Sequence, residues 1–256
     1  MSNIEPPPPP PPPPPGQPPA PMGGGGQANG TEAIGYGWKK FGENAGPFIL
    51  VSVIGFVAMA IIYAITWIIL TGIFYSTEDL TFGGQKIGTY TSGPGFVGSL
   101  IMIGIFAVVI FLARSIVEMF FIRGSLLVTR GEKPEAGNML SFDDFGQYVV
   151  AMLIVSVLTG IGFVLCYIPG IIVAFLLSFT GYFVIDKKLA PMEAVKASLN
   201  LVKNNVGPVL VFFILAWLVT LAGALLCGVG LIVAIPIVVI GTGYMYKRLQ
   251  GEPVAA

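Results

Sequence analysis

Arg114 and Glu118 are the residues whose types and spacing point most directly to chemistry, because both stand inside an otherwise apolar run. Residues four positions apart share one face of an α-helix, so the two charges can meet. If that helix crosses a membrane and ends near Arg123, Arg114 lies roughly 13 Å inside it, at 1.5 Å per residue. An arginine at that depth either snorkels or forms a structural pair with Glu118, or it belongs to a polar site for a lipid head group or solute.

Two cysteines and one proline are weaker candidates. Cys166 and Cys227 each precede a turn at equivalent places in the chain, so a disulfide between them is one interpretation and two buried small side chains are the other. Pro236 lies inside an apolar run, where proline removes a backbone N–H and kinks a helix. The kink is either a hinge or a static bend.

The sequence lacks the residues on which most enzyme and metal sites depend. It contains no histidine and only two cysteines. Histidine is the commonest general base and metal ligand, and two cysteines alone cannot complete a four-ligand zinc site. The apolar runs contain no pair of carboxylates that could share acid–base work. We therefore expect no catalytic residue, no cofactor and no metal, and we predict that the protein is not an enzyme.

Composition places the chain in a lipid bilayer. Of its 256 residues 55% are hydrophobic and 10% are charged, whereas soluble domains carry about 25% charge. The mean hydropathy is +0.85. Thirteen basic and thirteen acidic residues cancel, so no net charge attracts nucleic acid.

The longest apolar stretch runs from Pro208 to Lys247 and carries no charge before Lys247. A membrane helix needs about 20 apolar residues, so this stretch predicts two crossings joined by a turn at 227–230. The same criterion predicts an all-α membrane protein. Its six transmembrane helices are expected at about 47–70, 96–122, 147–166, 170–185, 208–227 and 229–246. The polar residues 71–95 are expected to form a long loop after the first helix.

Residues 1–30 form a low-complexity head, with uninterrupted proline from Pro6 to Pro15 and glycine from Gly23 to Gly26. Such a composition predicts a polyproline II rod and a flexible joint with no hydrophobic core. This disordered tail is either a docking rod for a protein partner with an aromatic groove or a solvated spacer. Residues 31–249 are predicted to form the transmembrane domain and residues 250–256 a short C-terminal tail.

The chain contains an internal repeat. Glycine, threonine, leucine and cysteine residues recur at a constant offset, with Gly146, Thr159, Gly162, Leu165 and Cys166 matching Gly207, Thr220, Gly223, Leu226 and Cys227. Amphipathic segments precede the helix pairs, and glycine and proline suit the bend where a surface segment enters the membrane. The pattern predicts three units, each an interfacial amphipathic segment followed by a helical hairpin.

Small residues recur at four-residue spacing within the predicted helices. They include Ser156 and Gly160 in the third helix and Gly170, Ala174 and Ser178 in the fourth. Small faces let helices approach closely in lipid, so we interpret these residues as packing stripes. A path for a substrate is the alternative.

Basic residues predict the orientation. Apart from Lys86 in the 71–95 loop and Arg114 inside a helix, every lysine and arginine falls on the side shared by the two chain termini. The positive-inside rule then places both termini in the cytoplasm.

The proline- and glycine-rich head joined to six helices resembles the actinobacterial proline- and glycine-rich transmembrane proteins. The body alone is similar to uncharacterised six-helix bacterial integral membrane proteins and to the membrane domain of some glycerophosphodiester phosphodiesterases. The resemblance rests on Ala194-Val195, Ser198, Leu201, Asn205, Gly207-Pro208, Cys227-Gly228-Val229-Gly230-Leu231, Pro236 and Tyr244. It implies a six-helix fold in the plasma membrane and transfers no catalytic residue.

Two functions remain open from the sequence. The first is a non-enzymatic scaffold or partner of cell-envelope machinery, acting through the tail or the surface helices. The second is a small transporter or lipid-handling protein with its site near Arg114, Glu118 and Pro236; few polar groups near the membrane midplane count against it.

Overall fold

The computed structural model describes residues 28–226 and 228–256. Residues 1–27 of the predicted disordered tail lie outside this part of the chain, and so does Cys227. The described elements are α1 (Gly30–Glu43), α2 (Ala45–Phe74), β1 (Ser76–Phe82), β2 (Gln85–Ser92), α3 (Gly95–Thr129), α4 (Ala136–Met139), α5 (Phe145–Leu165), α6 (Tyr167–Leu176), α7 (Thr180–Lys187), α8 (Pro191–Lys203), α9 (Val206–Leu225) and α10 (Leu231–Leu249).

Within the described ranges, six helical stretches are long and apolar enough to cross a membrane. They are α2, α3, α5, the combined α6 and α7, α9, and α10. This agrees with an all-α membrane protein of six spanning helices. The spanning helices are connected at two opposite ends of the bundle. One end, here called the charged end, carries Arg130, Asp186, Lys247 and Glu252; the opposite end, the loop end, carries the two strands and the turns at 166 and 228–230.

The helix α3 continues to Thr129, beyond the predicted end at Ile122. Residues after Arg123 looked like the start of a polar loop, but Ser125, Leu126 and Thr129 are buried. The hydroxyls of Ser125 and Thr129 donate to carbonyls one turn earlier, so these residues suit a packed helix. The buried core of the molecule accordingly lies toward the charged end.

The fourth predicted helix is interrupted, so it forms α6 and α7 rather than one continuous helix. The interruption is filled by Ser198 of α8, which is fully buried. Its hydroxyl accepts from the Phe179 amide at 3.1 Å and donates to the Leu176 carbonyl at 3.1 Å. The amphipathic helix α8 therefore supplies the backbone hydrogen bonds that the interruption leaves open.

The predicted loop at 71–95 contains an antiparallel pair of strands, β1 and β2, on the loop end. Gly83 and Gly84 connect them with φ values of 61° and 81°. Positive φ at both central residues gives the turn a twist that matches paired strands, and glycine adopts it without a steric cost. Phe82 and Ile87 beside the turn are exposed.

The first helix, α1, packs into the bundle instead of lying only on its surface. It buries one face made of Gly30, Ala33, Gly37 and Phe41. A Cβ added to Gly37 would stand 2.3 Å from the Ile237 carbonyl oxygen, so only glycine fits this contact. The small face thus lets α1 lie against the backbone of α10.

Tyr36 adds a polar contact to the same interface. Its hydroxyl donates to the Val128 carbonyl at 3.3 Å. Burial, followed by the charge of Glu43 and the neighbouring Tyr244, raises the pKa of Tyr36 to about 12. The phenol therefore stays protonated at neutral pH and remains a donor that joins α1 to α3.

Two of the helical hairpins turn on close glycine pairs at the loop end. A Cβ on Gly162 would lie 2.8 Å from Gly170 Cα, and one on Gly230 would lie 2.6 Å from the Gly223 carbonyl oxygen. Such contacts bring α5 against α6 and α9 against α10 directly at their turns. The repetition of three hairpin units itself stays a prediction.

Asp186 is the centre of the charged end. Its carboxylate is 3% exposed and accepts hydrogen bonds from Arg130 at 2.6 Å, Lys247 at 2.8 Å and the Tyr246 hydroxyl at 3.1 Å. A buried charge is tolerated when it is paired and hydrogen-bonded, as this one is. These bonds join α3, α7 and α10.

Glu252 extends this network into the C-terminal segment. Its carboxylate accepts from Lys247 at 2.6 Å and also from Lys187. Partial burial favours the neutral acid, but the hydrogen bonds from Lys187 and Lys247 outweigh it, so the pKa of Glu252 lies below its usual 4.5. The Ala255 amide donates to the Thr129 carbonyl at 3.0 Å, which holds the segment against the end of α3.

Candidate intramembrane site

A cavity of about 910 Å³ separates the α2–α3 pair from the α5–α6 pair, and α7, α9 and α10 complete its walls. Most of the lining is apolar, with Phe56, Met59, Val117 and Phe163 as examples. Its volume falls within the roughly 300–1,000 Å³ of ordinary ligand sites. The cavity is therefore large enough for an organic ligand and lies among helices that can span a membrane.

Arg114 and Glu118 both line this cavity. The Arg114 Nε atom lies 3.8 Å from Glu118 Oε2, an ion-pair distance that is too long for a hydrogen bond. The Arg114 side chain is 76% exposed and that of Glu118 is 43% exposed. Within the described part of the chain, neither charge has another ion-pair or hydrogen-bond partner, so both remain free to bind a ligand.

The depth expected for Arg114 requires correction. The expected depth of roughly 13 Å takes Arg123 as the end of the helix, whereas α3 ends at Thr129. Along the helix, Arg114 lies about 22 Å from that end. Arg123 is not at a helix terminus; it donates to the Asp143 carbonyl and lies near the Asp144 carboxylate. The candidate site is thus deeper within α3 than the sequence suggests.

Hydroxyl groups from two facing helices also border the cavity. Thr159 Oγ1 on α5 and Ser178 Oγ, just after α6, are buried and have no hydrogen-bond partner among the described residues. The hydroxyl of Tyr148, likewise buried without a described partner, lies near Gly181 at the cavity wall. Buried polar atoms are normally hydrogen-bonded, so these three hydroxyls are exceptions, and their oxygens are closed off from the open part of the cavity.

The small residues in the third and fourth predicted helices do not all serve as packing stripes. Ser156, Gly160, Ala174 and Ser178 line the cavity, and a Cβ on Gly160 would meet nothing within 4 Å. Gly170 does pack closely, against Gly162. Small side chains permit close contact between two helices. Where the facing helix lies further away, the same small side chains leave open space. The four-residue spacing is identical in both cases.

Pro236 lies within α10, which continues through it to Leu249. Proline cannot donate to the carbonyl four residues earlier, which belongs to Ile232. The Ser52 hydroxyl of α2 lies 3.2 Å from the Ile232 carbonyl oxygen and 2.8 Å from the Phe48 carbonyl oxygen of its own helix, so its single proton is shared between the two acceptors. The hinge at Pro236 stays a prediction, while the carbonyl that the proline leaves without a helical donor is contacted by Ser52 of a neighbouring helix.

One of the two cysteines falls within the described residues. Cys166 is exposed at the turn between α5 and α6, whereas Cys227 lies outside the described residues. Their disulfide therefore stays a prediction. Among the residues described, no cluster of three or more histidine, cysteine, aspartate or glutamate side chains could hold a metal ion.

The sequence identifies Arg114 and Glu118, and it gives a substrate path as the alternative for Ser178, but Ser52 and Thr159 were missed as lining residues. A usable signal was present. Ser156 and Thr159 lie on one face of α5 near its middle, and Ser178 lies in the antiparallel segment that follows. Hydroxyls facing one another within apolar helices indicate either an interhelical hydrogen bond or a polar lining.

The six long apolar helices define this chain as an integral membrane protein. It is similar to an uncharacterized protein of Mycobacterium bovis and to uncharacterized proteins of two Mycobacterium tuberculosis strains. Each is 29% identical over 230 residues, covering 87% of this chain and 69% of the relative. No protein-family model matches the chain. No solved structure matches it.

Proposed function

We propose that the chain is a non-enzymatic scaffold or partner of cell-envelope machinery in the bacterial plasma membrane, with both termini in the cytoplasm. We also propose that the chain is related to the proline- and glycine-rich actinobacterial membrane proteins and to phosphodiesterase-linked membrane domains. Support for a bacterial membrane protein comes from the mycobacterial relatives and the six apolar helices.

One observation carries the scaffold proposal. The helix α1 follows directly after the proline-rich head and is fixed to the bundle through Gly37 and Tyr36. At its far end, the Lys40 amine donates to the carbonyl of Ala256, so the C-terminal segment meets the same surface. The head therefore joins the chain at a helix that is fixed to the bundle, and its proline run has the composition that a partner with an aromatic groove recognises.

The test compares the full chain with a variant lacking residues 1–27, both isolated in discs of native lipid. A second variant replaces Pro6 to Pro15 with a glycine–serine run of equal length. Quantitative mass spectrometry should find a protein that accompanies the full chain in stoichiometric amount and is lost from both variants. Equal recovery of the same proteins with all three chains would remove the scaffold proposal.

A lipid-handling protein or small transporter is the second candidate function, and the cavity is the observation that favours it. The cavity combines an apolar lining with Arg114 and Glu118 inside a membrane-spanning bundle. Polar residues at such depth are costly and usually functional.

Leaflet-exchange measurements test this candidate. The full chain in liposomes should accelerate the movement of a fluorescent phospholipid between leaflets, and Gly160→Phe, which adds a bulky ring at a lining position, should remove the acceleration. Equal rates with and without the protein would exclude lipid movement.

A further inference from the structure

We propose that the cavity binds one zwitterionic aminophospholipid, with its phosphate on Arg114 and its ammonium group on Glu118. The inference rests on the lipid-handling candidate and names its ligand. It follows from the charge, the loose pairing and the lining of the cavity.

The charges favour a zwitterion over a simple anion. Arg114 and Glu118 together carry no net charge, and their 3.8 Å separation leaves guanidinium donors and carboxylate acceptors unsatisfied. An anion bound to Arg114 would place a second negative charge beside Glu118 in an apolar setting, which is costly. A zwitterion satisfies both side chains and leaves the site neutral.

The head-group contacts follow from the shapes of the two side chains. The planar guanidinium of Arg114 matches phosphate oxygens with parallel N–H donors. The Glu118 carboxylate accepts hydrogen bonds from a primary ammonium, whereas a quaternary choline has no N–H to donate. The site therefore discriminates ethanolamine from choline head groups through Glu118.

The remaining lining suits the rest of a phospholipid. Phe56, Met59 and Phe163 offer apolar surface to an acyl chain. A cavity of about 910 Å³ far exceeds the needs of an inorganic phosphate, so head group, esters and chain together explain more of it.

The experiment uses the full chain, delipidated in detergent and titrated separately with phosphatidylethanolamine, phosphatidylglycerol, phosphatidylcholine and inorganic phosphate. Native mass spectrometry counts bound molecules, and the melting temperature reports stabilisation. Phosphatidylethanolamine should bind at one per chain, about tenfold more tightly than the other two lipids, as one charged hydrogen bond predicts. Equal affinity for the three lipids, or saturation by inorganic phosphate alone, overturns the proposal.

Variants identify the contacts. Arg114→Gln should abolish binding of all three lipids, and Glu118→Gln should remove the preference for ethanolamine over choline while retaining phospholipid binding. The control Lys86→Gln removes an exposed cation on β2 that pairs with Asp79, and it should leave binding unchanged. Unchanged selectivity in Glu118→Gln overturns the assignment of the ammonium group.

A second kind of variant distinguishes loss of the binding site from loss of folding. Gly160→Phe leaves both charges in place and adds a ring at a lining position, where no described atom lies within 4 Å of the new Cβ. It should lower phosphatidylethanolamine occupancy with an unchanged melting temperature in the absence of lipid. Full occupancy in Gly160→Phe would place the lipid elsewhere. Binding without leaflet exchange would disprove lipid movement and leave this inference standing, so the two failures are distinguishable.

Discussion

Ser52 shows how one hydroxyl can hydrogen-bond to the backbone of another helix. The carbonyl of Ile232 loses its helical donor because residue 236 is proline, and Ser52 is 2% exposed beside it. An unsatisfied buried carbonyl costs about 1–3 kcal/mol. Because its single proton is shared with the Phe48 carbonyl at 2.8 Å, the Ser52 hydroxyl satisfies the Ile232 carbonyl in part.

We expect Ser52→Ala to lower the free energy of unfolding by about 0.5–1.5 kcal/mol, because the Ile232 carbonyl loses its share of the hydrogen bond that Ser52 also makes to Phe48. Denaturant unfolding in detergent measures the loss. The control Ser99→Ala removes a hydroxyl that bonds only its own helix, at the Gly95 carbonyl, and should change little.

Pro236→Ala provides the sharper version of this prediction. Alanine restores the N–H that Ile232 lacks, so Ser52→Ala should cost less in the Pro236→Ala background than in the native chain. A double-mutant cycle measures that difference as a coupling free energy. Additive effects of the two substitutions would show that Ser52 does not serve the proline-released carbonyl.

Glu252 gives the stability a defined dependence on pH. Its pKa is lowered in the folded protein, since the hydrogen bonds from Lys187 and Lys247 outweigh the effect of burial. A lowered carboxyl pKa stabilises the fold above the unfolded-state value near 4.5, and this contribution is lost as the pH falls through the folded value.

We therefore expect the melting temperature of Glu252→Gln to fall less steeply than that of the native chain as the pH is lowered below about 4.5. Thermal unfolding across that range provides the measurement. Glu193→Gln serves as the control, because Glu193 is exposed on α8 and makes no ion pair within the described residues. Parallel curves for the native chain and Glu252→Gln would contradict the assignment.

At the scale of elements, the docking of α1 depends on where its glycines fall. Gly37 faces α10, and an added Cβ would stand 2.3 Å from the Ile237 carbonyl oxygen; Gly35 on the same helix has no atom within 4 Å of that position. Alanine is otherwise the better helix former by about 1 kcal/mol. Alanine substitutions at Gly37 and Gly35 therefore measure separately the cost of overpacking and the gain in helix propensity.

Gly37→Ala should destabilise the protein by about 1–3 kcal/mol, the usual cost of overpacking, and should expose α1 to protease. Gly35→Ala should be neutral or stabilising by up to about 1 kcal/mol. Limited proteolysis and thermal unfolding of the two variants test this pair. Equal behaviour would show that α1 is held without the glycine contact.

Elements were predictable where one physical requirement dominated. Long runs without charge require a membrane environment, so the stretch from Pro208 to Lys247 was interpretable from sequence alone. The extension of α3 to Thr129 was not, because Arg123 and Ser125 look like loop residues until tertiary packing buries the latter. Likewise, Gly83-Gly84 was a hairpin signal that the polar composition of its surroundings concealed.

The cavity itself was beyond sequence reasoning for a related reason. Arg114 and Glu118 were identifiable, since charges in apolar runs need an explanation. Ser156, Gly160 and Ser178 have the same spacing in a packed helix pair as in a lining. The relative placement of α5 and α3 decides whether these residues pack against a helix or line a cavity. No local sequence pattern encodes that placement.

At the scale of the whole molecule, the proposed orientation makes a direct prediction. In a chain whose two cysteines are replaced by serine, Glu78→Cys lies on the β1 strand and Lys196→Cys on α8. An impermeant maleimide added to intact cells should label the first and not the second, because the positive-inside rule places α8 in the cytoplasm. The reverse pattern would invert the proposed topology.

The bundle also combines helices of unequal length. With 30 and 35 residues, α2 and α3 measure about 45 and 52 Å, whereas α9 and α10, with 20 and 19 residues, measure about 30 and 28 Å. None of the most apolar window of α3 is buried by the protein. The α2–α3 pair therefore extends past a hydrocarbon layer of about 30 Å unless it tilts.

Hydrophobic mismatch then acts on the cavity, because α2 and α3 form one of its walls. We expect thinner bilayers to tilt this pair further and change the distance across the cavity, measurable between spin labels at Met59 and Ser156 in discs of short- and long-chain lipid. A constant distance would show that the wall is rigid. If the distance changes, the thickness of the host membrane regulates ligand access by moving one wall of the cavity. This regulation requires no effector that contacts a side chain of the site.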